Sequence, residues 1–426
     1  MQSKQGLLIR NQIPKNWQKD NLENLLDILI DHRGITPKKL GGEWSVNGIP
    51  ALSAKNIKTG KIVNEEDIRF VSQKLYERWM PEKLESGDIL LTSEAPLGEL
   101  YFLKENKDYV LSQRLFALRT KRKKLNSRYL YYYLQGSIGR HELLRRLSGT
   151  AAEGIRQAEL RKINVEFPED ILEQEKIVSM VSAFDDKIEV NNKIAKTLEE
   201  MAQALFREWF VKFKFPSYQK IEFEDSTLGK IPKGWRIQNI DDVCETSGGG
   251  TPSTSNEEYW QEGTISWATP TDMTALKGPF IFGTEKKITD KGLKNSSTKI
   301  LPTDSILMTS RATVGIIAIS KIPICTNQGF ISLVCEYPSN YFMYCFLKSR
   351  LGEIKGLATG STFPEISKGV FRKIRIVVPD REVALMFNFL VDPMFEKISK
   401  VMLENQKLAA LRDLFLPKLM RGEIRV

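Results

Sequence analysis

The chain has 426 residues, of which 41% are hydrophobic, and a formal net charge of +10. That length suits roughly two to four domains, and the positive balance allows a polyanionic partner without requiring one. Two histidines are too few for a His-rich metal centre; the longest apolar runs have strand length, so neither a signal peptide nor a membrane span is expected; and four cysteines with no CxxC spacing are expected to be free thiols in a cytoplasmic protein.

Residues 1–167 read as a mixed, irregular domain of short strands and loops. Apolar runs such as Asp88 to Thr92 are separated by Gly, Pro, Ser, Thr and Asn. The basic run Lys121-Arg122-Lys123-Lys124 precedes a helix in which Ser127 is expected to cap the aromatic stretch Tyr129 to Leu134, and Arg140, Arg145 and Arg146 follow. The aromatic stripe reads as helix core rather than a base-stacking surface. His32 and His141 read as ordinary polar or capping residues.

Pro168 ends that domain, and residues 168–216 read as a long helix. Its apolar seam runs Ile177, Val181, Phe184, Ile188, Asn191, Ala195, Leu198, Ala202 and Leu205, with alternating spacings of four and three. This is the 3.5-residue period of a coiled coil. A helix from Ile171 to Phe213 spans roughly 43 residues, or about 64 Å at about 1.5 Å per residue, against about 34–36 Å for one turn of DNA.

Residues 217–378 form a second mixed domain, with Ser339 expected to cap a helix over Tyr341 to Leu347. Residues 379–426, after Pro379, give a second seam through Phe387, Val391, Met394, Ile398, Val401, Asn405, Leu408, Arg412, Phe415 and Leu419. Arg412 interrupts it near the end, where a long side chain reaches water.

The second half repeats the first. Pro14-Lys15-Asn16-Trp17 returns as Pro232-Lys233-Gly234-Trp235, Ile89 to Ser93 with Gly98 as Ile306 to Ser310 with Gly315, Ser127-Arg128-Tyr129-Leu130 as Ser339-Asn340-Tyr341-Phe342, and Asn191 to Ile194 as Asn405 to Leu408. The order is kept and the offset is nearly constant, so the chain is an internal duplication with a pseudo-two-fold. The fold class is therefore α+β: two mixed α/β domains separated by a long two-helix coiled coil. The first helix leaves domain one and the second returns from domain two, which favours an antiparallel pair. Asn191 and Asn405, near the middle of each seam, then meet; the alternative is that each faces solvent at the seam edge. A buried unpaired amide costs about 1–3 kcal/mol, so pairing is the expectation.

No catalytic motif is present. There is no GxxxxGK[ST] loop, no GxSxG elbow, and Gly248-Gly249-Gly250 lacks the GxGxxG spacing. Asp272 with Glu285-Lys286-Lys287 makes only a loose nuclease-like pattern, and Glu285 reads more simply as part of a solvated face.

Gly248-Gly249-Gly250-Thr251-Pro252-Ser253-Thr254, then Tyr259-Trp260, then Ile265 to Asp272 resemble the start of a target recognition domain. Thr309 to Gly315, Thr326-Asn327-Gln328-Gly329-Phe330, and Gly360-Ser361-Thr362 with Ile366 continue the pattern, as do the helix Asp185 to Phe213 and the ending Leu416 to Ile424. The whole chain resembles the DNA specificity subunit of type I restriction–modification systems. The first copy is less literal: Asp31 to Pro37 stands for the triple-glycine loop, Ser93 to Gly98 for Ser310 to Gly315, Ser112-Gln113-Arg114 for Asn327-Gln328-Gly329, and Ser148-Gly149-Thr150 with Ile155 for Thr359-Gly360-Ser361 with Ile366. The second long helix also lacks the Gln174-Glu175-Lys176 start of the first.

The resemblance implies two domains that each bind half of a bipartite double-stranded DNA target. It implies an antiparallel coiled coil that sets the gap, methyltransferase subunits, usually two, docked on that core, and motor-nuclease restriction subunits beyond them. S-adenosylmethionine, ATP and magnesium belong to those partners, and no cofactor to this chain. The candidate DNA-binding residues are Gly248, Gly249, Gly250, Thr251, Ser253, Thr254, Thr269, Arg311, Asn327, Gln328, Gly360, Ser361 and Thr362 in the second copy, and Arg33, Thr36, Gln113, Arg114, Gly149 and Thr150 in the first. Glycines let backbone amides approach phosphates, amide side chains pair with adenine, and Arg311 binds guanine or phosphate. The structural alternative is that Gly-Thr-Pro and Gly-Ser-Thr form tight turns and that Asn327 and Gln328 brace a loop; Trp260 and Trp267 read as core. A stand-alone nuclease using Asp272 and Glu285, and a rod joining two protein-binding domains, are the competing functions.

Overall fold

The structure, a computed structural model, describes residues 13–147, 153–360 and 364–426. The chain divides into two compact units, 1–186 with 408–426 and 187–407. Each unit takes in one stretch of each long helix.

In the first unit, a four-stranded sheet runs in the order Leu26–Asp31, Leu115–Thr120, Ile89–Thr92, Leu100–Phe102. The strands Ile89–Thr92 and Leu115–Thr120 are buried along their whole length, as expected for continuous apolar runs in a sheet covered on both faces. The exception in composition is Arg119, whose guanidinium donates to the fully buried Asp88 at 2.9 and 2.8 Å. A second sheet runs Arg69–Val71, Ile49–Leu52, Val110–Leu111, and Trp17–Asn21 pairs antiparallel with Asn164–Pro168. Pro168 lacks a donor and ends that strand.

The aromatic helix is Ser127–Gln135. Its N-cap is Asn126, which accepts from Arg128 N and Tyr129 N, and not Ser127, whose buried hydroxyl instead meets Thr120 Oγ1 at 2.7 Å. Its four tyrosines are buried, and three of the phenols donate to named acceptors: Tyr129 to Glu166 O, Tyr133 to Asn164 O and Tyr132 to Asp185 Oδ2. Gln174, fully buried in the long helix, donates to Pro168 O and Lys124 O and accepts from Asn126 N. One amide thus ties the helix start to the strand before it and to the loop that caps the aromatic helix.

The second unit repeats this plan. Its five-stranded sheet runs Glu245–Gly248, Phe330–Val334, Ile306–Thr309, Ile317–Ser320, Phe280–Ile281, and a three-stranded sheet runs Lys287–Ile288, Ile265–Ala268, Cys325–Thr326. Arg236–Asn239 pairs with Arg375–Val378. In both units the middle sheet strand joins the last by an antiparallel ladder, and a short parallel pair (Ile49–Leu52 with Val110–Leu111; Ile265–Ala268 with Cys325–Thr326) completes the match. Ser339 caps the helix Asn340–Ser349 by accepting from Phe342 N.

Free thiols describe only Cys325 and Cys345, both buried. Cys244 and Cys335 are joined in a disulfide. The ladder explains it: Glu245 faces Val334, so the flanking Cys244 and Cys335 fall opposite each other, 4.5 Å apart at Cα. Register, invisible in the spacing of the cysteines, brings them together.

The first long helix is Ile171–Phe206 and is followed by a wider π turn, Arg207–Val211, so the regular helix stops short of Phe213. The inserted residue changes the phase of the helix face. Phe206, Trp209 and Phe210 thereby all reach the core around Phe342 and Phe387. The second long helix is Arg381–Met420.

Within each unit the two helices run antiparallel. In the first, Ile177 and Val181 share a core with Leu416, Leu419 and Met420, Phe184 stacks on Phe415, and Arg412 donates to Asp185 at 2.7 Å. Arg412 therefore bonds inside the seam as well as to its neighbour Asp413. In the second, Asn191 meets Asn405 while Phe206 meets Phe387. Ile398 and Val401 are buried, and Met394, Leu198 and Leu205 pack half-buried against the same core; Ile188 and Leu408 are half-buried.

Candidate functional site

Three loops converge at one end of the main sheet in each unit, and the same backbone bonds hold them. In the second unit, Thr309 ends its strand and its hydroxyl donates to Thr313 O and accepts from Ile316 N, while Gly315 N closes on Thr309 O. In the first, Thr92 Oγ1 donates to Pro96 O and accepts from Glu99 N, and Gly98 N closes on Thr92 O. Each turn needs left-handed backbone at Ala95 and Gly98, or at Ala312 and Gly315. Glycine takes that conformation freely for want of a Cβ, whereas Ala95 and Ala312 take it against the contact of their own Cβ atoms.

The next residue clips two further loops. Ser310 N bonds Gly329 O and Ser310 O accepts from Ile366 N; Ser93 N bonds Arg114 O and Ser93 O accepts from Ile155 N. Among the described residues the loop clusters are thus 309–315, 327–329, 359–360 and 364–366 in the second unit, and 92–98, 113–114 and 154–156 in the first.

The triple-glycine loop joins the second cluster. Gly248 ends its strand, Gly250 N donates to Thr326 O, and Thr251 Oγ1 donates to Gln328 Oε1. A Cβ on Gly249 would stand 2.1 Å from Thr326 O, and one on Gly250 2.2 Å from Ser297 Oγ. These two glycines are required by close packing inside the protein. Trp267 is buried and donates to Gly250 O, and the half-buried Trp260 packs edge-on against it.

The remaining candidates divide by what their side chains touch. Thr251, Ser253, Thr254 and Gln328 are exposed on the cluster, with the Ser253 hydroxyl bonded to that of Ser255. Asn327 is half-buried and accepts from Gly329 N, bracing its own turn. Thr269 caps the helix Pro270–Thr274, and Asp272 closes the capping box by accepting from Thr269 N at 2.8 Å. The other oxygen of Asp272 accepts from Glu285 N. Both oxygens of that carboxylate serve local structure, and among the described residues no cluster of three or more metal-ligating side chains forms.

Arg33 is likewise engaged within the protein. Its guanidinium grips Asp31 at 2.7 and 2.9 Å, reaches Ile155 O and lies 4.0 Å over the Phe116 ring. It therefore fastens the Asp31 to Pro37 loop to the first cluster. Thr36 accepts from Lys39 N at a short turn. Gln113 is exposed, and its carbonyl anchors Ala54 N. Gly360 takes a left-handed φ of 105°. Gly149, Thr150, Ser361 and Thr362 lie outside the described residues.

Two charged pairs cap the clusters. Arg311 forks onto Glu365 through Nε and Nη2, both at 3.0 Å. The bond and the charge of Glu365 raise the pKa of the exposed Arg311 guanidinium, keeping it cationic. In the first unit Arg114 Nε lies 3.1 Å from Glu94. Glu94 and Glu365 were not among the sequence candidates. Glu94 stood in the repeat alignment opposite Arg311, which was the available signal; the partner of each charge comes from a different loop and was not readable.

The chain belongs to the family described as type I restriction modification DNA specificity domain, which matches residues 14–200 and 232–384. It is similar to the type I restriction enzyme HindI specificity subunit of Haemophilus influenzae, 26% identical over 411 residues covering 80% of this chain and 87% of that protein. It is also 39% identical over 177 residues to the MjaIX specificity subunit of Methanocaldococcus jannaschii, an alignment spanning 41% of this chain and 40% of that protein. The fold is shared with a crystal structure of a type I restriction-modification system S subunit from M. genitalium, at 17% identity and a TM-score of 0.59, over 97% of this chain and 98% of that one.

Proposed function

We propose that this chain is the sequence-specific DNA-binding subunit of a type I restriction–modification complex. Each unit reads one half of a bipartite duplex target through its loop cluster. The paired long helices set the gap between the half-sites and dock methyltransferase subunits, two in the full complex, with restriction subunits joining them. The chain itself carries no chemistry; S-adenosylmethionine, ATP and magnesium are bound by the partners, and the complex works in the cytoplasm.

One observation carries this reading. The two units build the same loop cluster on the same backbone bonds yet present different side chains on it, which is what reading two different half-sites requires. The basic balance of the chain supplies phosphate attraction. The nuclease alternative is not favoured, because Asp272 is committed to a capping box and to Glu285 N.

Mapping methylated bases genome-wide in strains with and without the gene tests it. A single split motif lost with the gene is the expected result; an unchanged methylation pattern, in a strain whose methyltransferase is expressed, refutes it.

A further inference from the structure

The charges over the two loop clusters are inverted. In the second unit the turn residue is Arg311, its acidic partner Glu365 comes from the third loop, and the second loop offers Gly329 at the matching place. In the first unit the turn residue is Glu94, its basic partner Arg114 comes from the second loop, and the third loop offers Gly154. A Cβ on Gly154 would lie 3.1 Å from both Glu94 Cβ and Ser93 O, leaving little room for a side chain where Glu365 stands in the other unit. Both units thus keep one acid–base pair on the same turn, with reversed polarity and with the partner drawn from a different loop.

The pairing orients each turn residue and leaves part of it unspent. Glu365 occupies Nε and one hydrogen of Nη2 of Arg311, so Nη1 retains two donors on an exposed side chain. Arg114 is bonded to Oε1 of Glu94, leaving Oε2 with free acceptor capacity. Guanine presents two acceptors in the major groove and suits an arginine, whereas cytosine presents an amino donor and suits a carboxylate.

Resting on the DNA-reading function above, we propose that this turn position is a specificity determinant whose sign differs between the two half-sites. Arg311 selects guanine in the half-site of the second unit, and Glu94 selects a base bearing an exocyclic amino group, cytosine foremost, in the half-site of the first.

The test is selection from duplexes with both half-sites randomised, using the full chain in complex with its methyltransferase subunits. The double variant Arg311→Glu with Glu365→Arg keeps an acid–base pair and reverses the turn. It should replace guanine at one position of one half-site with a roughly tenfold or greater change in preference, while the other half-site is selected as before. Unchanged preference, or a loss of affinity uniform across sequences, reduces the pair to a brace and overturns the proposal. Should the double variant not fold, Glu94→Gln decides: relaxed selection at one position of the other half-site supports the proposal, and unchanged selection overturns it. A wild-type complex that enriches no bipartite site removes the function itself, a result distinct from wild-type enrichment with no effect of either variant.

Discussion

The side-chain amide of Asn191 donates to the side-chain oxygen of Asn405 at 2.9 Å, between helices of opposite direction. Asn191 is fully buried and also donates to Glu404, and Asn405 donates in turn to Asn192. The Oδ1 of Asn191 is left without a partner. A seam asparagine of this kind trades stability for register.

Asn191→Leu should therefore raise thermal stability, since a buried unsatisfied oxygen costs about 1–3 kcal/mol and the half-buried Asn405 retains Asn192 and water as partners. The gain should come with a looser register, read as lower protection of backbone amides along the seam in hydrogen exchange. Unchanged melting and unchanged exchange would contradict the role assigned to this pair.

Asp185 accepts from Tyr132, whose phenol is fully buried, and from Arg412 across the helix pair. Asp185→Ala leaves the phenol without its acceptor and Arg412 Nη1 without its partner across the helices, with Asp413 still holding Nε and Nη2. Urea unfolding should report a loss of about 1–3 kcal/mol, whereas Asp413→Ala at the exposed neighbour should stay within about 0.5 kcal/mol.

Gly249→Ala should destabilise the free protein by more than about 2 kcal/mol, because the added carbon meets two backbone oxygens near 2 Å. Gly283→Ala, with nothing within 4 Å of the new carbon, should be nearly neutral. Thermal melting without DNA separates the two. If Gly249 served only to admit a phosphate, the free protein would tolerate alanine.

Thr269→Ala should cost about 1 kcal/mol through loss of the helix cap. It should lower melting temperature before it alters half-site preference, measured by calorimetry and by duplex selection. A change of preference with unchanged stability would return Thr269 to the DNA surface.

Much of the architecture was readable from residue order alone. A 3.5-residue seam that continues from Ile177 to Leu205 and from Phe387 to Leu419 already specifies paired helices, and one asparagine in each seam specifies the register. The turns at Thr92 and Thr309 were visible as repeated strings, because the same bonds demand the same residue types. What stayed hidden depends on placement in space. Cys244 and Cys335 meet through strand register, the π turn after Phe206 answers a crowd of aromatic rings, and Arg33 turns inward onto Asp31 and Phe116. Motif strings marked the loops, but they do not distinguish a glycine that admits a ligand from one that admits the protein's own backbone.

Under the proposed function the two loop clusters read two separate half-sites. Affinity of the assembled complex for a duplex carrying both halves, compared with duplexes in which one or the other is scrambled, tests it most directly. A large loss for either scrambled half is expected, at fixed salt, with non-specific binding remaining. Equal affinity for the intact duplex and for one with either half scrambled would contradict it.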